Sequence, residues 1–124
     1  MKKVVLDTSF ILSCIRKKID FFEEIKFMGF QILIPKQVIR EINGITISKK
    51  KSYFKEDSKL ALELLKKNLF KEIDLKEKNV DKGLIKLAKK DKEIIVATLD
   101  KEIQNNIQNP KLIIRGQKKL QINQ

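Results

Sequence analysis

The sequence has no histidine and only one cysteine, Cys14, and these two shortages narrow its chemistry. One cysteine cannot form an internal disulfide. Without histidine there is no Cys/His zinc site, no imidazole acid or base and no histidine-activated nucleophile. Any catalysis by this chain must therefore use carboxylates, hydroxyls, lysines or a metal ion held by oxygen atoms.

Long apolar runs are also missing. No stretch reaches the roughly 18 uninterrupted apolar residues of a membrane span, and the N-terminus has no apolar segment followed by a small-residue cleavage site. We therefore expect a cytoplasmic protein that does not enter a membrane. The 124 residues, 42% of them hydrophobic, suit a single domain over residues 1–124 with one core.

Acidic residues are in the minority, with 16 Asp and Glu against 28 Lys and Arg and a net charge of +12. Residues 1–60 carry 13 basic and 7 acidic side chains and residues 61–124 carry 15 and 9, so the excess is not a detachable tail. A uniformly basic domain attracts polyanions, of which nucleic acid is the commonest. Because 25 of the 28 basic residues are lysine, genome bias or thermal adaptation is a competing explanation.

Short apolar, β-branched runs recur along the chain and predict strands. These runs are Lys3–Leu6, Phe30–Ile34, Phe70–Ile73, Glu93–Ala97 and Leu112–Ile114. Segments with helical spacing of apolar residues lie between them. Strands that alternate with helices predict an α/β sandwich with a mostly parallel sheet covered on both faces.

The expected helix boundaries follow from capping and breaking residues. One helix begins near Ser9, a second ends at Gly29, and a third begins at Pro35 and ends at Asn43-Gly44. Residues 44–58 have no clear period, so we expect mostly loop there. Later helices begin at Asp81 and cover Lys101–Ile107.

Four acidic residues fall near one edge of this predicted sheet. Asp7 follows the first strand, Thr98 and Asp100 follow the strand EIIVA, Asp81 opens a helix that returns to the sheet, and Glu41 lies on the helix after the second strand. Ligands of such sheets bind beyond the carboxyl ends of the strands, where chain order reverses. Neighbouring carboxylates repel and raise their own pKa values unless a divalent cation neutralises them. With only oxygen donors, that ion is Mg²⁺ or Mn²⁺.

Each acid also has a simpler explanation. Asp7, Asp81 and Asp100 stand where helices begin, and an aspartate N-cap contributes about 1 kcal/mol. Glu41 alone is typical of a solvated surface, but it follows Val38 by three positions and so lies beside the apolar stripe of its helix. The four together indicate a site more strongly than any one of them.

Two other phosphate chemistries need an aspartate after the first strand. A haloacid-dehalogenase-like phosphatase has Asp-x-Asp-x-Thr, whereas this chain has Asp7-Thr8-Ser9-Phe10-Ile11 and lacks the second aspartate. A response-regulator receiver needs a phosphoryl-accepting aspartate after a later strand, and no hydrophobic strand supplies it in the right order. Neither family fits.

Four segments, in order, resemble the PIN-domain nucleases. They are VVLDTSFIL from Val4, VIREI around Glu41, DKGLIKLA from Asp81 and VATLDKEI from Val96. The ending LIIRGQKKL is similar to small archaeal PIN proteins of the type that resembles ribosomal-RNA processing nucleases. The resemblance covers nearly the whole chain. It implies a three-layer α/β/α sandwich and Mg²⁺- or Mn²⁺-dependent cleavage of RNA, often by a homodimer.

The resemblance also implies roles for individual residues. The acidic metal site would consist of Asp7, Glu41, Asp81 and Asp100, and the residues that support it would be Thr8, Ser9, Thr98 and Glu102. Basic and aromatic residues outside this set are candidates for contact with RNA phosphates and bases: Lys49, Lys50, Lys51, Tyr53, Phe54, Lys82, Arg115, Lys118 and Lys119.

Two further interpretations stay open. In the first, the chain is a non-catalytic module that binds RNA or a ribosomal assembly intermediate, and the acids only cap helices. In the second, it is the toxin of a toxin–antitoxin pair, cleaves RNA in the same way and needs an antitoxin partner. Metal titration tests the first and gene neighbourhood tests the second.

Overall fold

The structure is a computed structural model that describes residues 1–49 and 51–124. These residues contain six strands and six helices. The strands are β1 (Lys3–Leu6), β2 (Gln31–Pro35), β3 (Lys71–Ile73), β4 (Ile95–Ala97), β5 (Lys111–Arg115) and β6 (Lys119–Asn123). The helices are α1 (Thr8–Arg16), α2 (Phe21–Phe27), α3 (Lys36–Thr46), α4 (Ser52–Lys67), α5 (Val80–Lys90) and α6 (Lys101–Asn105).

The strands form one sheet in the order β3-β2-β1-β4-β5-β6. All neighbouring pairs are parallel except β5 and β6, which are antiparallel. From β1 the chain moves outward to β2 and β3, then returns to β4 on the other side of β1, so chain order reverses at β1. Val4, Val5 and Leu6 are fully buried, as expected of a central strand covered on both faces. The predicted central, mostly parallel sheet is confirmed.

Helices cover both faces of the sheet. Helices α1, α3 and α4 pack against one another, α2 packs against β2, and α5 contacts α6. Right-handed crossovers place the helices that lead outward from β1 on one face, and α5 and α6, which serve connections in the opposite direction, on the other. The architecture is therefore the three-layer α/β/α sandwich. Within the described ranges, no helix combines the length and the apolar character that crossing a bilayer requires.

Side-chain caps explain where four helices begin. Asp7 caps α1, Asp20 caps α2, Asn79 caps α5 and Asp100 caps α6, each by accepting a hydrogen bond from a backbone N–H of the first turn. Capping is thus confirmed for Asp7 and Asp100. The expectation that Asp81 caps a helix is wrong. Asn79 caps α5, and Asp81 lies in the first turn of that helix without a capping bond.

The expected loop over residues 44–58 is wrong at both ends. Helix α3 continues through Gly44 to Thr46, and α4 already begins at Ser52. The reason is tertiary: α3 and α4 pack along each other, and Arg16 of α1 pairs with Asp57 at 2.9 Å. Contacts between distant segments thus offset the glycine and the weak local periodicity.

The end of the chain contains one strand more than expected. Gly116, at a φ of +63°, lies in the turn between β5 and β6, and β6 adds an antiparallel edge to the sheet. Its alternation of buried Leu120 and half-buried Ile122 with exposed residues is the strand signal that the sequence contained. The other predicted strands are confirmed to within two residues, and the helices after Leu6, before Gly29 and after Pro35 begin or end close to where they were expected.

Candidate active site

Asp7 and Thr98 are the first residues after the neighbouring strands β1 and β4, and they lie side by side. Leu6 of β1 is in register with Ala97 of β4, so the next residue of each strand lies at the same carboxyl edge. The Asp7 N–H donates to the Ala97 carbonyl at 2.9 Å, and Thr98 Oγ1 donates to Asp7 Oδ2 at 2.7 Å. Both side chains are buried. The carboxylate is therefore held by the sheet itself.

The hydroxyl groups of Ser9 and Thr98 both donate hydrogen bonds to the Asp7 carboxylate. The Leu99 N–H donates to Ser9 Oγ at 3.1 Å, and the Asp100 N–H donates to Thr98 Oγ1 at 3.1 Å. Since each hydroxyl accepts a backbone N–H, its own proton is available to Asp7 Oδ2, which lies 3.2 Å from Ser9 Oγ. The loop after β4 thus orients the acid that follows β1.

Thr8 connects Asp7 to Glu41. Its N–H donates to Asp7 Oδ1 at 2.8 Å, and its Oγ1 donates to Glu41 Oε1 at 2.6 Å. Glu41 is an exposed residue of α3, yet this bond ties its carboxylate to the start of α1. The acid is therefore not a freely solvated surface residue.

Asp81 and Asp100 form the other half of the acidic group. Asp100 accepts the N–H groups of Glu102 at 2.8 Å and Ile103 at 3.4 Å, which holds its Oδ1 at the start of α6. The charge of Asp100 adds to burial in raising the pKa of Asp81, so the two carboxylates lie close enough to repel each other. A positive charge between them would relieve this repulsion.

The pKa values show that the four acids belong to one electrostatic environment. Burial raises the pKa of Asp7, the hydrogen bonds from Thr98 and Thr8 partly offset this, and the charge of Glu41 raises the pKa further. Partial desolvation raises the pKa of Asp81, and the charges of Asp100, Asp7 and Glu102 add to it. Both acids are therefore costly to ionise together.

The donors fit a hard divalent ion in kind, since they are carboxylates and hydroxyls without nitrogen or sulfur. As the side chains stand in the described part of the chain, no three acidic groups are clustered tightly enough to hold one ion. The electrostatic repulsion between Asp81 and Asp100 is what a cation would relieve. Binding would require side-chain rotation toward the ion, and Asp81 and Glu41 are exposed enough to rotate.

The predicted RNA-contacting residues of the α3–α4 region lie apart from these bonds. Lys49 and Lys51 are exposed, and Lys50 lies outside the described residues. The Tyr53 ring lies 4.6 Å beneath the Arg16 guanidinium and 4.4 Å from the Phe54 ring. Contact with α1 thus already occupies part of the Tyr53 surface that stacking on a base would use.

The β5–β6 hairpin extends beyond the carboxyl edge. Ala97 ends β4 and is in register with Leu112, so β5 continues three residues further, about 10 Å at the usual rise of a strand. The basic residues at its tip, all exposed, are Arg115, Lys118 and Lys119. This basic tip therefore projects past the edge at which Thr98 and Asp100 lie.

Lys82 follows Asp81 on α5. It lowers the pKa of Glu77, after the stronger effect of Lys86 on the same carboxylate. No ion pair joins Lys82 to the acidic group in residues 1–49 and 51–124.

One feature of this edge is absent from the sequence-based prediction. A cleft of about 750 Å³ opens beside Glu41, between α3 and the segment of residues 74–78. Its basic residues include Lys36 and Arg40, whose spacing of four along α3 is the signal that the sequence contained.

Comparisons with known proteins agree with this geometry. A family profile described as PIN like domain matches residues 4–116. Ribonuclease VapC4 of Methanocaldococcus jannaschii is 32% identical over 132 aligned positions that cover 98% of this chain and 97% of the relative.

Two solved structures share the fold. The PIN domain endonuclease Utp24 superposes with a TM-score of 0.77 at 24% identity, covering 97% of this chain and 90% of its own. VapBC2 from Rickettsia felis, solved with a DNA fragment from its promoter, gives a TM-score of 0.51 at 15% identity, covering 88% and 98%. Because the profile and the VapC4 relative each span nearly all of the chain, the protein belongs to the PIN-domain nuclease family.

Proposed function

We propose that the chain is an endoribonuclease that hydrolyses RNA phosphodiester bonds with Mg²⁺ or Mn²⁺ held by Asp7, Glu41, Asp81 and Asp100. The observation that carries the proposal is the set of hydrogen bonds by which Thr8 joins Asp7 to Glu41 and Thr98 joins Asp7 to the Asp100 N–H. The charges of Asp100 and Asp7 also raise the pKa of Asp81, after burial. The identity to a relative named as a ribonuclease supports RNA as the substrate.

The chain's own residues prepare this site before any ion binds. Thr98 and Ser9 hold Asp7 Oδ2, and Thr8 holds Asp7 Oδ1 and turns Glu41 toward it. Asp81 does not cap its helix and is exposed, so its carboxylate can turn toward an ion. A divalent ion, when bound, activates water and stabilises negative charge on a phosphoryl oxygen.

Cleavage of end-labelled structured RNA tests the proposal. We expect wild type to cut with Mg²⁺ or Mn²⁺ and to lose cutting with chelator. Asp100→Asn should lose at least about 100-fold in kcat/KM, because a charged metal ligand is replaced while asparagine still caps α6.

Asp20→Asn is the matched control. Asp20 is also an aspartate N-cap, but it begins α2, away from the acidic group. It should retain wild-type cleavage. Cutting that survives both chelation and Asp100→Asn would refute the proposal and favour the non-catalytic binding module.

Growth assays separate two roles for this activity. A toxin should arrest the host on induction, Asp100→Asn should relieve the arrest, and co-expression of an antitoxin gene from the same locus should do so too. A processing nuclease should leave growth unaffected and change the pattern of stable RNA fragments instead.

A further inference from the structure

The cleft beside Glu41 is a built feature of the fold. Gln37 is buried in its floor, donates through Nε2 to Asp74 Oδ1 at 2.7 Å and accepts the Leu75 N–H at 3.2 Å. Lys36 pairs with Asp74 Oδ2 at 3.2 Å. Three bonds thus join helix α3 to the segment that leads from β3 toward α5, through the side chains of Lys36, Gln37 and Asp74.

Lys76 is held in an uncommon backbone conformation by the same aspartate. Its φ is +54°, a region that costs about 1 kcal/mol or more for a residue with a side chain, and its N–H donates to Asp74 Oδ1 at 2.8 Å. The turn therefore presents an exposed lysine at the wall of the cleft in a defined place.

Most of the negative charge in the cleft is already neutralised. Asp74 pairs with Lys36, and Glu77 pairs at 2.7 Å with Lys86, which lies outside the cleft. The remaining basic residues of the lining are Arg40, Lys76 and Lys78, and none of the three forms an ion pair within the described ranges. Their charge is therefore available to an anion.

The position of this charge relates it to the acidic group. Arg40 directly precedes Glu41 on α3, and Val80, which also lines the cleft, directly precedes Asp81. An RNA strand that approaches the acids from the side of α3 would therefore pass along the cleft. Carboxylates repel phosphates, so a strand needs compensating positive charge close by.

We propose that Arg40, Lys76 and Lys78 bind successive backbone phosphates of single-stranded RNA on the α3 side of the acidic group, and so position the strand for cleavage. The positioning of the strand for cleavage rests on the proposed nuclease function. The binding of RNA by these three residues does not depend on it. The basic tip of the β5–β6 hairpin lies on the opposite side of the acids, so the strand would be held on both sides of the bond to be cut.

The test compares two triple variants with the same change in net charge. The cleft variant carries Arg40→Gln, Lys76→Gln and Lys78→Gln. The control carries Lys2→Gln, Lys26→Gln and Lys92→Gln, three exposed lysines that stand shortly before parallel strands at the opposite edge of the sheet. Affinity for a fluorescent single-stranded RNA is measured at several salt concentrations in proteins that also carry Asp100→Asn. The KM and kcat of cleavage are measured in proteins that keep Asp100.

We expect the cleft variant to raise KM about tenfold with kcat within about twofold of wild type, because phosphate contacts position the strand without touching the reacting bond. Its plot of log affinity against log salt should be less steep by about 2, from three contacts at about 0.7 each. The control should change both quantities little. Thermal unfolding of all variants should match wild type, since the substituted side chains are exposed.

Equal effects of the two triple variants on slope and KM would overturn the cleft assignment while leaving the nuclease intact. Failure of wild type to cleave any RNA would instead refute the proposed function. Loss of RNA affinity in the cleft variant would then still support a binding surface.

Discussion

At the scale of single residues, Asp7 shows how a carboxylate can be buried in an α/β core. Its two oxygens accept three hydrogen bonds, from the Thr8 N–H and from the hydroxyls of Thr98 and Ser9. Each such bond to a charged group is worth about 1.5–3 kcal/mol, yet burial still raises the pKa of Asp7 above its ordinary value. Burial therefore makes the anionic form of Asp7 costly, and a bound cation would reduce that cost.

Cys14 is the opposite case. It is fully buried in α1, and burial raises the pKa of its thiol to about 12. A thiol with this pKa is not a nucleophile near neutral pH. The only sulfur that could have offered chemistry is thus part of the core.

Gly83 supplies the first prediction. A Cβ at this position of α5 would lie 2.8 Å from Leu75 Cβ, too close for any ordinary contact. Gly83→Ala should lower the free energy of unfolding by about 1–3 kcal/mol, because Leu75 or α5 must shift, and with α5 the carboxylate of Asp81. Urea denaturation measures the change.

Gly44 is the matched glycine for that experiment. It also lies inside a helix, α3, but a Cβ there would meet nothing within 4 Å. Gly44→Ala should raise the free energy of unfolding by about 0.5–1 kcal/mol through helix propensity. If both substitutions stabilise the protein, the close approach of α5 to Leu75 is wrong.

At the scale of elements, the segment between β3 and α5 is organised by one carboxylate. Asp74 accepts from the Lys76 N–H and from Gln37, and pairs with Lys36. These contacts lower the pKa of Asp74 from 3.8 to about 2. They tie α3, which carries Glu41, to the segment that leads to Asp81.

This shift predicts a pH dependence. A carboxylate with a lowered pKa in the folded state stabilises the fold above its unfolded pKa, and the contribution disappears as the pH falls through the folded pKa. The difference in urea midpoint between wild type and Asp74→Asn should therefore be full above about pH 5 and be lost progressively toward about pH 1. A difference that stays constant across this range would show that the charge of Asp74 does not hold the segment.

At the scale of the whole molecule, the acidic group depends on complete folding, since its members come from α3, α5 and the ends of β1 and β4. An ion that binds only this assembled group stabilises the folded state. Mn²⁺ at ten times its Kd should add about 1.4 kcal/mol, which raises Tm by roughly 5 °C for a chain of this size. Differential scanning fluorimetry with and without chelator measures the shift.

Asp81→Asn separates this effect from folding. Without metal, the free energy of unfolding of Asp81→Asn should equal that of wild type or exceed it by at most about 0.5 kcal/mol. The substitution removes like-charge repulsion at a partly exposed position. With Mn²⁺ it should lose most of the wild-type shift. An unchanged Mn²⁺ shift in Asp81→Asn would place the ion elsewhere.

Much of the architecture could be predicted from local patterns. Apolar runs marked the central strands, and Asp7 and Asp100 could be placed at the ends of β1 and β4, because burial on both faces leaves a signal within a few residues. The first part of α4, residues 52–58, and the strand β6 could not be predicted with the same rules. The first depends on packing against α1 and the second on pairing with β5.

The sequence by itself determined the alternation of strands and helices and the carboxylates that follow two of the strands, since both are recorded in neighbouring residues. Tertiary structure decided that Thr8 binds Glu41, 33 residues away, and that Thr98 binds Asp7, 91 residues away. It also decided that Asp81 faces Asp100 and does not cap its helix. Such contacts depend on how the layers pack, and no local periodicity encodes the distance between two elements.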